Sequence, residues 1–132
     1  MTTYVMATKN QKFSKKEKLS GKKEIEGLFD QGISIKVHPL KILFLVNPDL
    51  GRPQVLISIP KRNFRKASAR NLLKRRITEA YRINKHLLTT GEGQKPMIAY
   101  IYLATESLPF RTIENSVRSS LKKISEKIID AH

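Results

Sequence analysis

Apolar residues along this chain recur in two different periods, and the changes of period mark out its elements. From Lys22 to Gln31, Ile25, Leu28 and Phe29 fall at helical spacing, and Gly32 follows as a stop. Residues 40–46 form a short apolar run closed by Asn47-Pro48-Asp49, a turn signal. Residues 55–59 are β-branched and end at Pro60, so the two runs predict an antiparallel hairpin across the link 47–54. Residues 97–103 read as a further strand of the same character, and a short strand is predicted near 34–37. Helical periodicity returns over 67–88. It returns again from 109–112 onward, where Ile113, Val117, Leu121, Ile124 and Ile128 form a stripe and Arg118, Lys122, Lys123 and Lys127 fall on other faces. The resulting order, α-β-β-β-α-β-α, is that of an α+β protein with a small, mostly antiparallel sheet packed with about three helices. Residues 1–15 are polar and aperiodic and read as a flexible basic tail, leaving 16–132 as a single α+β domain.

Composition narrows the class of partner. The 132 residues carry 26 Lys+Arg against 11 Asp+Glu, a formal net charge of +15. That much like charge on a small domain repels itself unless an anionic partner offsets it, and the usual partner is nucleic acid. No apolar window reaches the ~18 residues a spanning helix needs, and the first ten residues lack the pattern of a signal peptide, so no membrane role is expected. The absence of cysteine removes disulfides, thiolate nucleophiles and sulfur-ligated zinc, and fits a reducing cytoplasm.

The charge is concentrated. Between Lys61 and Arg82 lie Lys61, Arg62, Arg65, Lys66, Arg70, Lys74, Arg75, Arg76 and Arg82, opposed by Glu79 alone. On a helix over 67–88, Arg70, Asn71, Lys74, Arg75, Thr78 and Arg82 share one side, while Ala69, Leu73, Ile77 and Ala80 share another. One acid cannot pair so many bases, so intrahelical ion pairing does not account for the basic side. Guanidinium forks match phosphate oxygens, ammonium groups act as point charges, and an amide such as Asn71 bonds sugar or base edges. Replacing Arg70 and Lys74 together by alanine is expected to weaken binding of the nucleic acid and leave the fold intact, since both lie off the apolar stripe.

No catalytic constellation accompanies this surface. His38, His86 and His132 are scattered, and the neighbours Glu24 and Glu26 point to different helix faces. Gly91-Glu92-Gly93 reads as a turn rather than a phosphate loop, so no catalytic residue and no protein-held metal is expected.

The segment Lys61-Arg-Asn-Phe-Arg-Lys-Ala67, followed by Arg70-Asn71-x-x-Lys74-Arg75 and Glu79, resembles the signature of the bacterial ribonuclease P protein subunit, and the order of elements agrees from Leu19 to the end. Thr78 departs from the family's usual arginine, Ile25 from a frequent aromatic, and the loop 62–67 is one residue longer than the common form. The resemblance implies a ribosomal-protein-like fold with a left-handed βαβ crossover. It also implies partnership with a catalytic RNA that uses Mg²⁺ to remove the 5′ leader of precursor tRNA, with no obligate protein partner. On that footing Lys61, Arg62, Arg65, Lys66, Arg70, Asn71, Lys74, Arg75 and Arg82 are expected to bind RNA. Ile25, Phe29, Phe44 and Ser58 are expected to line a cleft for the single-stranded leader, with Leu43 as the alternative to Phe44 by a one-residue shift. The competing readings are a small basic ribosomal or ribosome-assembly protein, a helix-turn-helix regulator and an independent nuclease. Residues 55–60 read as strand where the regulator would need a helix, and the scattered acids and histidines speak against the nuclease.

Overall fold

A computed structural model of the chain describes residues 22–47, 53–89 and 95–130. The tail expected over 1–15, the Pro48-Asp49 turn and the Gly91-Glu92-Gly93 turn lie outside the described residues. The elements run α1 (Lys22–Gln31), β1 (Ile33–Val37), β2 (Leu40–Asn47), β3 (Gln54–Ser58), α2 (Ala67–Asn84), β4 (Lys95–Tyr102) and α3 (Phe110–Asp130). The helix expected over 67–88 ends as α-helix at Asn84 and finishes in one 3₁₀ turn, Lys85–Leu87.

α1 stops where the sequence indicated, and for a steric reason. The Gly32 N–H bonds the Leu28 carbonyl at 2.9 Å. A Cβ at Gly32 would sit well inside van der Waals contact with that same carbonyl oxygen, so a side chain there forces the backbone to move. Glycine lets the chain turn directly from α1 into β1.

The four strands are ordered β1-β2-β4-β3. β1 and β2 form an antiparallel hairpin joined through His38-Pro39, with Val37 opposite Leu40. β2 pairs antiparallel with β4, and β3 pairs parallel with β4. The sheet is therefore mixed, and the hairpin expected between the runs at 40–46 and 55–59 does not form, because β4 lies between them. The short link favoured a hairpin, but the apolar stripe of α2 has to be buried on the same sheet. A β3–α2–β4 crossover does this by returning β4 parallel beside β3, and that slots β4 against the free edge of β2. The apolar character of β4 fits the central place: Met97 and Ala99 are buried on one face, Ile98, Tyr100 and Tyr102 on the other.

Strand alternation sorts the core into two layers. Leu40, Ile42, Phe44, Val55, Ile57 and Ile98 face α2 and α3, meeting Leu73, Ile77, Tyr81, Val117, Leu121 and Ile124. Leu43, Leu56, Met97 and Ala99 face the opposite way and meet Leu28, with Ile25, Leu45 and Ile101 at the margin. α2 and α3 pack on each other as well as on the sheet, so one face is closed by two helices, and the other is met only by the short α1 among the described residues.

Candidate nucleic-acid interface

The basic segment begins where β3 gives way to α2. After Pro60 the chain turns through Lys61–Phe64, with the Asn63 N–H on the Pro60 carbonyl and the Phe64 N–H on the Lys61 carbonyl, both at 3.2 Å. Phe64 is the anchor of this turn. Its ring is buried edge-on against Tyr102, centroids 5.7 Å apart and inclined at 64°. Lys61 and Arg62 on one side of it, and Arg65 and Lys66 on the other, remain exposed. An apolar pin thus holds four cations in solvent.

Arg70 closes the turn onto the helix. One terminal nitrogen of its guanidinium donates to the carbonyls of Phe64 at 2.7 Å and Arg65 at 2.9 Å. Arg70, expected to bind RNA, thus has a second task in the free protein: it holds the loop that carries the other cations. Lys74, half-buried one turn further on, is held below the ordinary lysine range by its burial first and then by the charges of Arg70 and Lys61. Those three cations share one neighbourhood. α2 starts without helix-terminal compensation too, since Lys66 is its N-cap, no side chain caps it, and its first turn holds no acid. Helix starts favour negative charge, so this arrangement leaves the site short of anions.

The remaining positions divide. Asn71 and Arg75 are exposed on the same side of α2. Arg82 is half-buried and engaged, with its Nε on Glu79 Oε1 at 2.9 Å and a second N–H on Oε2. That hydrogen bond is the main reason the Glu79 carboxyl lies below its usual range. Thr78, placed on the basic side from periodicity, is only 4% exposed. Its burial follows from α2 packing against both β3 and α3, which widens the covered stripe to include Thr78, Tyr81 and Asn84.

Of the four residues expected in a leader cleft, Ile25 and Phe29 are carried by α1, and Ser58 lies on the sheet face that α1 meets. Ile25 packs against the layer formed with Leu43 and Leu56. Phe29, one turn on, is 42% exposed. Ser58 alternates with Leu56, which puts it on the same face, 7% exposed. Phe44 does not join them. It is 1% exposed and belongs to the layer under α2 and α3, so its ring is not available to a base. The hairpin register pairs Phe44 with Ile33 and Leu43 with Ser34, and Leu43 takes the α1 face.

Sequence reasoning passed over the residues that hold this surface in place. Phe64 carried a signal, being a lone aromatic inside a basic run. Arg76 carried none: it donates to the Leu108 carbonyl at 2.6 Å and ties α2 to the loop before α3. Asn84 bonds the Ala80 carbonyl, Glu114 and Arg118 at 2.8, 3.0 and 2.6 Å, joining α2 to α3. Among the described residues, no three His, Cys, Asp or Glu side chains come together as a metal site, and no helix is long and apolar enough to cross a membrane.

One mixed sheet, two helices closing one face, a short helix on the other and a pinned cationic loop define a small basic α+β protein with its charge focused at one helix start. Residues 13–125 match the family model described as Ribonuclease P. The chain is 33% identical over 120 residues to the ribonuclease P protein component of Porphyromonas gingivalis, covering 87% of this chain and 88% of that protein. It is 34% identical over 122 residues to the component from Petrotoga mobilis, covering 89% and 96%. Its fold superposes on the ribonuclease P protein of Thermotoga maritima with a TM-score of 0.68 at 25% identity, covering 80% of this chain and 96% of that one. The chain belongs to the ribonuclease P protein family.

Proposed function

We propose that this protein binds the catalytic RNA of ribonuclease P and the 5′ leader of precursor tRNA, and so promotes Mg²⁺-dependent removal of the leader in the cytoplasm. The observation that carries the reading is the pinned turn at 60–66, where Phe64 and Arg70 hold Lys61, Arg62, Arg65 and Lys66 outward beside Lys74. A partner rich in phosphate relieves the repulsion among these cations and supplies the negative charge that the start of α2 lacks. The face met by α1, with Phe29 exposed beside Ile25, offers an aromatic ring and an apolar floor to splayed bases. Stacking of that kind contributes about 1–3 kcal/mol per base.

The chemistry belongs to the RNA and the Mg²⁺ it holds. The protein's part in this reading is to bind, orient and screen charge through the exposed cations of the turn at 60–66. Mg²⁺ and lysine or arginine side chains all neutralise phosphate, so the protein's help is largest when the metal is scarce. The test is precursor-tRNA cleavage by a ribonuclease P RNA at low Mg²⁺, with and without the protein. Strong stimulation, with no cleavage by protein alone, is the expected result. Tight RNA binding without stimulation would point to a ribosomal or assembly role instead.

A further inference from the structure

The hairpin register places two lysines face to face on the sheet. Lys36 of β1 lies directly opposite Lys41 of β2, Lys41 lies opposite Ile101 of β4, and Ile101 lies opposite Ser58 of β3. Their sequence neighbours Ile35, Ile42 and Ile57 belong to the layer under α2 and α3, so this row is on the α1 face. The adjacent row on that face is Ser34, Leu43, Ala99 and Leu56, whose apolar members pack with Leu28 of α1. The lysine pair therefore stands about 7 Å, two residues along the strands, from the floor beneath α1.

Like charges directly opposite each other on a sheet are destabilising. Lys36 is exposed and Lys41 half-buried, and among the described residues neither has an acid within ion-pair distance. Lysine on an edge strand is a familiar guard against unwanted strand pairing, which accounts for Lys36 on β1. It gives no reason for Lys41, because β2 is paired on both sides. A chain of anions passing over both strands accounts for the two together.

Resting on the function proposed above, we propose that Lys36 and Lys41 form a phosphate-binding pair for the single-stranded 5′ leader where it runs past α1 along the sheet. The leader's bases meet the face at Phe29 and Ile25, and its backbone continues over the lysine row. Pairing of leader phosphates with both ammonium groups removes their mutual repulsion and adds two cation–phosphate contacts.

The test is binding of precursor tRNAs with leaders of increasing length, and of tRNA without a leader, to the complex of this protein with a ribonuclease P RNA, across a salt series. The variants are Lys36→Gln with Lys41→Gln, and Lys36→Arg with Lys41→Arg. With long leaders, the glutamine variant is expected to bind more weakly, with a log–log salt slope shallower by about 1.4, at about 0.7 per cation on single strands. Between 50 and 200 mM salt that amounts to about seven-fold less loss of affinity than the wild type shows. Leaderless tRNA and the shortest leaders should bind all forms alike, and the arginine variant should behave as wild type. Melting of the glutamine variant should be unchanged or higher, since it removes a repulsion. An equal loss with leaderless tRNA would assign the pair to the catalytic RNA and overturn the proposal. So would unchanged binding at every leader length, although wild-type protein still stimulated cleavage. Failure of the wild type to stimulate cleavage at all would remove the functional reading and this proposal with it.

Discussion

Arg70→Ala separates the two things a cation on α2 can do. In the free protein this guanidinium bonds the part-buried Phe64 carbonyl at 2.7 Å and the more exposed Arg65 carbonyl at 2.9 Å. A hydrogen bond from a charged donor contributes about 1.5–3 kcal/mol. Solvent around the second carbonyl screens that bond, and removing Arg70 also relieves some repulsion on Lys74. The net loss should be about 2 kcal/mol. For a chain of this length, at roughly 3–5 °C per kcal/mol, the midpoint should fall by about 6–10 °C. Lys74→Ala removes a half-buried ammonium for which the described structure records no acidic partner. Its stability effect should stay within about 0.5 kcal/mol in either direction. Thermal melts of the two single variants, followed by far-ultraviolet circular dichroism in the same buffer, make the comparison. Both variants should lose RNA affinity, but only Arg70→Ala should melt early. The expectation from sequence, that the double substitution leaves the fold intact, is tested by the same melts, with the loss of stability traced to Arg70. An Arg70→Ala protein melting with the wild type, or a Lys74→Ala protein melting far below it, would refute the assignment of Arg70 as the holder of the loop.

Gly32→Ala should destabilise by about 1–3 kcal/mol, as overpacking does, because its Cβ collides with the Leu28 carbonyl; denaturant titration measures it, and an unchanged midpoint would contradict the close approach. Asn84→Ala should cost about 2–3 kcal/mol by stranding Glu114 and Arg118 at the α2–α3 contact, read from the same titration, with a loss under half a kilocalorie counting against the network. At high pH the buried phenols of Tyr100 and Tyr102 matter: burial pushes both above the ordinary tyrosine value of 10.0, so folding favours the protonated form. Their stabilisation is complete below about pH 10 and is lost above it, by about 1.4 kcal/mol per pH unit per ionising tyrosine in the unfolded chain. Tyr100→Phe should flatten that alkaline decline, and a slope unchanged in the variant would exclude Tyr100 as its source. Neutralising about six phosphates should give a log–log salt slope near −4 for binding a ribonuclease P RNA, and a slope near zero would remove the electrostatic account.

Elements whose pattern has one reading came through the sequence well. The stripe from Ile113 to Ile128 predicts α3, and the apolar spacing before Gly32 predicts α1 with its boundary. Strand pairing is different, because it depends on what else competes for an edge. Nothing local to residues 40–46 and 55–59 says that β4 will come between them. The face of Phe44 was open for a related reason. Leu40 to Val46 is apolar on both faces apart from Lys41, so alternation gives no parity, and a one-residue shift exchanges Phe44 with Leu43. At the interface, the sequence displayed the cations but not their tasks. Arg70, Arg76 and Arg82 look alike as charges; the structure gives the first two backbone carbonyls and the third a glutamate. Backbone carbonyls have no sequence signature, so residues that hold a surface together could not be told from residues that present it.

The central claim is that the pinned cations at 60–66 are the protein's means of assisting an RNA catalyst. It is tested most directly by cleavage of precursor tRNA with a ribonuclease P RNA at low Mg²⁺, comparing wild type with a variant carrying alanine at Lys61, Arg62, Arg65 and Lys66. All four side chains are exposed, and Phe64 and Arg70 stay in place, so the variant should fold. The account predicts strong stimulation by the wild type, little by the variant, and recovery of the variant reaction as Mg²⁺ is raised. Equal stimulation by both proteins at low Mg²⁺ would contradict it.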